Sequence, residues 1–220
     1  MKKIRSISHS NRLFMTSVLI FFLVLALYLA LTSRGSGFKD LNLYHSSFLN
    51  NFFFYFTNLG DGLFSIFLVL IFLLLRKFDL AIQILLAFLI SGLFSQILKA
   101  MIVSPRPKDF FSLNDQIYIV DGLTLGGHAS FPSGHTASAF ALATSLALYS
   151  KRKIFGILYL ILAIMVGYSR VYLSQHFPAD VFGGAVVGVV VAFWIFVFME
   201  KYNPHIMKRS KKNKDIQDVS

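Results

Sequence analysis

The chain has 220 residues, of which 56% are hydrophobic and 14% are charged, with a formal net charge of +11. About a quarter of the residues in a soluble domain are charged, and the apolar residues here come in long blocks, so the composition indicates one polytopic membrane domain. The absence of cysteine excludes disulfides and thiolate metal sites. The basic residues lie at the termini and in short loops between apolar blocks, which is typical of membrane topology and not of nucleic-acid binding.

Six apolar blocks approach the length of about 20 residues that a membrane-spanning helix needs. The second is the weakest, because its uninterrupted apolar part, residues 63–75, is short and needs residues 57–62 to reach across. We therefore expect an all-α fold, a polytopic membrane bundle of six transmembrane helices. The predicted spans are 13–32, 58–75, 79–99, 131–149, 154–172 and 181–199.

An even number of spans places both termini on the same face of the membrane, together with the loops near Arg76 and Arg152. That face carries 15 of the 21 Lys and Arg residues, so the positive-inside rule makes it cytoplasmic. We expect a membrane domain over 1–207 and a polar cytoplasmic tail over 208–220. The outward segments are 33–57, 100–130 and 173–180, so that Thr124 and Gly126 face outward and Lys212 faces the cytoplasm.

Three features of the spans concern their ends and their packing. The first span is predicted to be an uncleaved anchor, with a signal peptide as the alternative, because its apolar run is long and no small-x-small cleavage site follows. The aromatic stretch FLNNFFFYF, residues 48–56, fits an interfacial belt or a contact surface for a lipid substrate. Gly184, Gly188 and Ala192 recur at small-xxx-small spacing, which predicts tight packing inside the bundle, with dimerisation as the alternative.

Polar clusters interrupt the apolar blocks on the outward side, and the first is KAMIVSPRP, residues 99–107. Lys99 falls in the last turn of the third span. Pro105 and Pro107 then favour extended backbone around Arg106. Taken alone, a lysine that extends to the membrane surface and an ordinary loop explain this stretch.

The second cluster, SFPSGHTAS (residues 130–138), opens the fourth span. Pro132 suits the first turn of a helix, and the N–H groups of Ser133, Gly134 and His135 would then lack intrahelical partners. Free N–H groups at a helix N-terminus bind phosphate, and a glycine lets the ligand approach the backbone closely. A plain capped helix start with an interfacial histidine fits equally well.

The third cluster, SRVYLSQHFPAD (residues 169–180), joins the last two spans. Pro178 suits the first helical position, so the carboxylate of Asp180 lies in the first turn and can reach back to accept a hydrogen bond from His176. Such a bond would fix the imidazole tautomer and leave the other nitrogen free to attack. Arg170 offers a planar fork for phosphate oxygens. The alternative is an Arg170–Asp180 pair that ties two helix ends beside a bystander histidine.

Together the clusters place three cations, two histidines and one aspartate on one membrane face. Three cations match a phosphoryl group, whose transition state spreads charge over its equatorial oxygens. Two histidines match a nucleophile and an acid for the leaving group. No acidic cluster with metal-ligand spacing is present in the sequence, so we expect no metal and no cofactor, and a two-metal phosphatase is disfavoured.

These motifs resemble those of the type 2 phosphatidic acid phosphatase family, which is similar in its active site to bacterial acid phosphatases and vanadium haloperoxidases. The signature of that family has three parts, and every position of them matches here, in order. The matching residues are Lys99 to Arg106-Pro107, then Pro132-Ser133-Gly134-His135, then Ser169-Arg170 to His176 to Asp180. The six-span layout fits the membrane branch of the family across most of the chain.

The resemblance implies a role for each residue. His176 would be the nucleophile that forms a phosphohistidine, Asp180 would orient and activate it, and His135 would protonate the leaving group and then act as the base for water. The residues that would hold the phosphoryl oxygens are Lys99, Arg106, Ser133, Gly134 and Arg170.

We therefore expect a metal-independent lipid phosphatase or diphosphatase at the outer face of the cytoplasmic membrane. The candidate substrates are undecaprenyl diphosphate, phosphatidylglycerol phosphate, phosphatidate and the phosphates of lipid A, and the motifs do not rank them because they read only the phosphoryl group. The expected partners are such a lipid and the bilayer, with no nucleic acid, and the oligomeric state is open. A non-catalytic lipid transporter or sensor that kept the fold is the alternative, and vanadate-dependent oxidation is disfavoured because the membrane architecture suits lipid.

Overall fold

A computed structural model describes residues 9–111, 117–120, 129–150 and 152–202. The described residues form nine α-helices and one short 3-10 helix, Thr57–Gly60, with no strand among them, which confirms the predicted all-α class. The α-helices are α1 His9–Leu31, α2 Arg34–Leu41, α3 Ser47–Phe56, α4 Gly62–Leu74, α5 Phe78–Met101, α6 Pro107–Phe110, α7 Gly134–Tyr149, α8 Lys153–Tyr172 and α9 Pro178–Tyr202. Thr124, Gly126 and the tail 208–220 with Lys212 lie outside the described residues.

Four helices, α1, α5, α8 and α9, are long and apolar enough to cross a membrane. A fifth candidate is a bent pair, in which Ser47–Gly60 meets Gly62–Leu74 at 56°. Helix α7 has 16 residues, which at about 1.5 Å per residue span roughly 24 Å, less than the roughly 30 Å of a hydrocarbon core. The count of six spans therefore stays a prediction.

Helix α7 lies at the centre of the bundle, where it contacts α5, α8 and α9. Most of its side chains are small, and 12 of its 16 residues are buried. Helices α5, α8 and α9 cover α7, so α7 does not have to match the bilayer thickness by itself.

Helix α9 packs directly on the backbone of α7. A Cβ atom added at Gly184 would overlap the carbonyl oxygen of Ser133, and one at Gly188 would overlap the carbonyl oxygen of Ala137. Only glycine permits this approach, so the small residues of α9 serve packing inside the bundle, as predicted.

The start of the second predicted span is wrong, because the chain turns before it enters α4. Residues 57–60 form the 3-10 helix, and Asp61 then caps α4 by accepting a hydrogen bond from the N–H of Leu63 at 2.8 Å. A Cβ atom at Gly60 would lie 2.7 Å from the carbonyl oxygen of His135 and 2.6 Å from Val166. The capping carboxylate of Asp61 and the contact of Gly60 place the start of α4 beside the start of α7. An uninterrupted helix from residue 58 would not bring the chain to this position.

The segment 33–57, for which the sequence predicted no helix, contains α2 and α3. The side chain of Asn42, between these helices, donates to the carbonyl oxygens of Val171 and Tyr172, each at 2.9 Å. These carbonyls belong to the last turn of α8, and that of Val171 also accepts the N–H of Ser174 at 3.0 Å. Asn42 thereby fixes the end of α8 and the loop 173–177 that follows it.

Candidate active site

The eight residues singled out in the sequence lie at one end of the bundle. Because successive helices run in opposite directions, the end of α5, the start of α7, the end of α8 and the start of α9 share that end. Arg106 and His176 lie in the loops that adjoin these helix ends. The structure therefore brings the three motifs together.

His176 and Asp180 form a buried pair, each with 2% of its surface exposed. The Nδ1 atom of His176 lies 3.6 Å from Oδ2 of Asp180, which is an ion-pair distance and longer than a hydrogen bond. The same carboxylate oxygen accepts a 2.8 Å hydrogen bond from the N–H of Phe177, whereas the predicted partner, His176, lies at the longer ion-pair distance. Since Nδ1 faces this carboxylate, Nε2 is the nitrogen left for another partner.

Ser130 completes this pair, although its place in the sequence indicated no such role. Its hydroxyl donates to Oδ2 of Asp180 and lies 3.4 Å from Nδ1 of His176. Ser130 is fully buried, and its own N–H donates to the carbonyl oxygen of Ser104, near Arg106. One serine thus connects all three motifs.

The imidazole of His176 is neutral at physiological pH. Burial lowers its pKa from 6.5 to about 4 because the charged form is not solvated there. The contact with Asp180 raises the pKa, and the positive charges of Arg170 and Arg106 lower it further. A neutral imidazole with one nitrogen held has a lone pair available on the other.

The start of α7 differs from the prediction in two respects. Pro132 lies before the helix, preceded by a cis peptide bond, and Ser133 is the N-cap, whose hydroxyl accepts from the N–H of Thr136 at 3.4 Å. The N–H of Ser133 is not free, because it donates to the carbonyl oxygen of Asp180 at 2.9 Å. The N–H groups of Gly134 and His135 make no hydrogen bond to another described residue. A Cβ atom added at Gly134 would meet no atom of the described residues within 4 Å, so none of these residues covers the donors.

Three cations lie near the start of α7, where each acts electrostatically on His135. Arg106 Nη1 donates to the carbonyl oxygen of Gln175 at 3.0 Å, and Arg170 Nη1 donates to Oγ1 of Thr57 at 2.7 Å. Lys99 is half-buried and interacts electrostatically with both arginines. No ion pair within 4 Å joins Arg170 to Asp180, so that alternative is wrong for these two described residues. The Nε of Arg170 is buried and lacks a hydrogen-bond partner in the described part of the chain. Three cations kept close together with an unsatisfied donor form an anion site.

His135 lies at the edge of the site, with a third of its side chain exposed. Its Nε2 is 3.9 Å from Oδ2 of Asp61, a residue that lies outside the three motifs. Thr57 and Gln175, the partners of the two arginines, were also missed, because nothing in their sequence context distinguishes them from ordinary polar residues. Among the described residues, no three His, Asp or Glu side chains are grouped closely enough to hold a metal ion.

Comparison with known proteins places these residues in context. The PAP2 superfamily model matches residues 80–204, a range that contains every predicted motif position. Undecaprenyl-diphosphatase BcrC of Bacillus subtilis is 37% identical over 78 residues, which cover 36% of this chain and 39% of that protein, so the chain spans less than half of this relative.

Two other relatives align over most of the chain. Phosphatidylglycerophosphatase B of Bacillus subtilis is 31% identical over 203 residues, which cover 84% of this chain and 94% of that protein. The crystal structure of the first transmembrane PAP2 type phosphatidylglycerolphosphate phosphatase from Bacillus subtilis superposes with a TM-score of 0.65 at 28% identity. That superposition covers 86% of this chain and 98% of the other.

Proposed function

The chain belongs to the PAP2 superfamily, and from this premise we propose that it is an integral-membrane lipid phosphatase or diphosphatase that acts through a phosphohistidine intermediate. The observation that carries the proposal is the buried, neutral His176, held on Nδ1 by Asp180 and Ser130, next to three cations. A lone nucleophile would not need the cations, and a plain anion site would not need the neutral imidazole.

The first chemical step transfers the phosphoryl group to His176. Lys99, Arg106 and Arg170, with Ser133 and the backbone of Gly134, hold the phosphoryl oxygens, where they stabilise the charge of the transition state. The Nε2 lone pair attacks phosphorus, a P–N bond forms, and the P–O bond to the lipid breaks. The electron pair of that bond stays on the leaving oxygen, which takes a proton from His135.

The second step releases phosphate. His135, now without its proton, takes one from a water molecule, whose oxygen attacks phosphorus. The P–N bond breaks, its electron pair returns to Nε2, and His176 is neutral again. Asp180 and Ser130 stabilise the positive charge that the ring carries in between.

The substrate is a lipid that carries a terminal phosphate or diphosphate at the outer face of the cytoplasmic membrane. The distribution of Lys and Arg supports this orientation. The relatives are named for undecaprenyl diphosphate and for phosphatidylglycerol phosphate. These two lipids are candidate substrates, together with phosphatidate and the lipid A phosphates. The site residues contact only the phosphoryl group, so they accept any of the four.

The test is phosphate release by the purified full-length protein from each of these four lipids, with and without excess chelator. We expect release from at least one lipid, persistence of activity in chelator because the cations supply the positive charge, and inhibition by vanadate as a mimic of pentacoordinate phosphorus. His176→Ala should abolish turnover while the protein still folds and inserts. Substantial release by that variant would remove His176 as the nucleophile, and loss in chelator that a divalent ion restores would contradict metal independence.

A further inference from the structure

The geometry points to Asp61 as the carboxylate that keeps His135 protonated, so that His135 can donate its proton to the leaving group. This inference rests on the proposed function and adds to it a positioning residue outside the three motifs. It makes the α4 entry, which lies before the matched range 80–204, a part of the catalytic arrangement.

The two side chains face each other across the start of α4 and the start of α7. Oδ2 of Asp61 lies 3.9 Å from Nε2 of His135, and both side chains are partly exposed, at 42% and 33%. The other oxygen, Oδ1, accepts the N–H of Leu63 and caps α4. Gly60 contacts the carbonyl oxygen of His135 itself, so the backbone fixes the spacing between the two residues.

The charges around His135 explain why it needs this partner. Burial disfavours the charged form of His135, and four titratable groups on the neighbouring elements add to this effect, namely Arg170 on α8, His176 before α9, Lys99 on α5 and Arg106 after α5. Three of them are fixed cations, which repel the proton that a general acid must carry. The other carboxylate of the site, Asp180, already accepts hydrogen bonds from Ser130 and Phe177. Asp61 is therefore the carboxylate placed to compensate the repulsion.

Asp61 also borders a groove, which indicates the side on which the leaving group departs. The carboxylate borders a groove of about 370 Å³ whose other walls are mostly apolar, formed by Asn58, Leu59, Leu63, Phe64 and Phe67. The leaving oxygen of a lipid phosphate carries the hydrocarbon chain, and an apolar groove is where that chain is stable. The acid pair and the groove thus lie on the same side of the phosphoryl site, the side where the leaving group departs.

In the chemical step, the P–O bond breaks toward His135 and the proton moves from its imidazolium to the leaving oxygen. Asp61 exchanges no proton in this step. Its contribution is electrostatic, so it should matter most for a leaving group that is too basic to depart as an anion.

The test compares two detergent-solubilised substrates that carry the same alkyl tail, an alkyl phosphate and an alkyl-substituted nitrophenyl phosphate. The nitrophenolate departs without a proton, whereas the alkoxide needs one. We expect Asp61→Asn to lower kcat about 100-fold on the alkyl phosphate and less than about 3-fold on the nitrophenyl phosphate. The same variant should move the basic limb of the alkyl phosphate pH profile to lower pH, because the imidazolium loses its counter-charge. The control is Asp40→Asn, an exposed carboxylate on α2, which should change neither rate.

The design separates this role from helix capping and from the proposed function. Asparagine is as good an N-cap as aspartate, so Asp61→Asn should melt like the wild type, while Asp61→Ala should lose both the cap and the charge. Equal losses of Asp61→Asn on both substrates, or no loss on either, would overturn the inference while the proposed function stands. A wild-type protein that releases phosphate from no substrate would overturn the proposed function instead.

Discussion

At the residue scale, burial sets the protonation state of the proposed nucleophile. His176 must be neutral to attack, so activity is present above its folded-state pKa and is lost as the pH falls through that value. Because burial lowers this pKa from 6.5 to about 4, we expect the acid limb of kcat/KM to fall near pH 4 rather than near 6.5. The measurement is kcat/KM across this range, since kcat/KM reports the free enzyme, to which this pKa belongs.

The control for this profile is a circular dichroism spectrum at each pH, which separates loss of the neutral imidazole from loss of the fold. An acid limb near pH 6.5 with the spectrum unchanged would show that His176 titrates as a solvated histidine, and the buried pair would then not be the reacting group.

A second residue-scale prediction concerns the open space over Gly134. A Cβ atom there meets no protein atom, so Gly134→Ala should fold and melt like the wild type. The added methyl group would stand where the proposed phosphoryl oxygens lie, and a displacement of about 1 Å at a reacting group costs roughly 100-fold in rate. We expect a loss of about 10- to 100-fold in kcat/KM with unchanged thermal stability. Full activity of this variant would mean that the phosphoryl group binds elsewhere.

Residues of the site differ in how far the sequence could predict them. The motif residues could be found because their spacing places cations and histidines at helix ends, and each short segment by itself indicates its chemistry. Ser130 could not, because its role depends on Asp180, fifty positions further along the chain. Asp61 caps α4 through one carboxylate oxygen, and only the packing of Gly60 on His135 brings its other oxygen beside the His135 ring.

At the element scale, the contact between α7 and α9 tolerates no added atom. At Gly188 a Cβ atom would lie 2.8 Å from the backbone nitrogen of Ala141 and 3.0 Å from Cβ of Phe140, besides overlapping the carbonyl of Ala137. Backbone atoms of a central helix cannot move aside, so Gly188→Ala should lower the free energy of unfolding by about 1–3 kcal/mol, the usual cost of overpacking. Thermal unfolding in detergent measures it.

Gly92 supplies the matched control, because it also lies within a helix but a Cβ atom there meets nothing within 4 Å. Gly92→Ala should be neutral or stabilise by up to about 1 kcal/mol through helix propensity. Equal effects of the two substitutions would mean that α9 does not lie on α7 as described.

The elements themselves were predictable to different degrees. The long apolar helices α1, α5, α8 and α9 follow from their hydrophobic blocks, which no competing signal interrupts. The start of α4 was predicted too early, at residue 58, because the number of apolar residues does not show the bend and the capping carboxylate of Asp61 that begin the helix at Gly62. Helices α2 and α3 were missed because their sequence is mixed, and they are held by contacts such as that of Asn42 with the end of α8, which lies far away in the sequence.

At the scale of the whole molecule, the orientation in the membrane is testable with single cysteines, since the chain has none of its own. Asp40 at the active-site end and Arg152 at the opposite end are both exposed. An impermeant thiol reagent on intact cells, with any outer membrane permeabilised, should label Asp40→Cys and spare Arg152→Cys. The same pattern is predicted for cysteines at Thr124 or Gly126 and at Lys212, respectively.

The reverse pattern would place the site on the cytoplasmic leaflet and direct the substrate search to lipids made there. Labelling at both positions would mean that the predicted number of spans is wrong.

The close fit of α9 on α7 also orders the events of biosynthesis. While only α1 to α8 have left the ribosome, the strip of α7 backbone from Ala137 to Ala141 faces lipid, and the N–H of Ser133 lacks the Asp180 carbonyl that it later binds. Lys99, His135 and Arg170 have then already been synthesised, but Asp180 is not yet in the membrane beside His176. An unfinished chain therefore holds the cations without the pair proposed to do the chemistry, and the proposed site is complete only when α9 has been inserted.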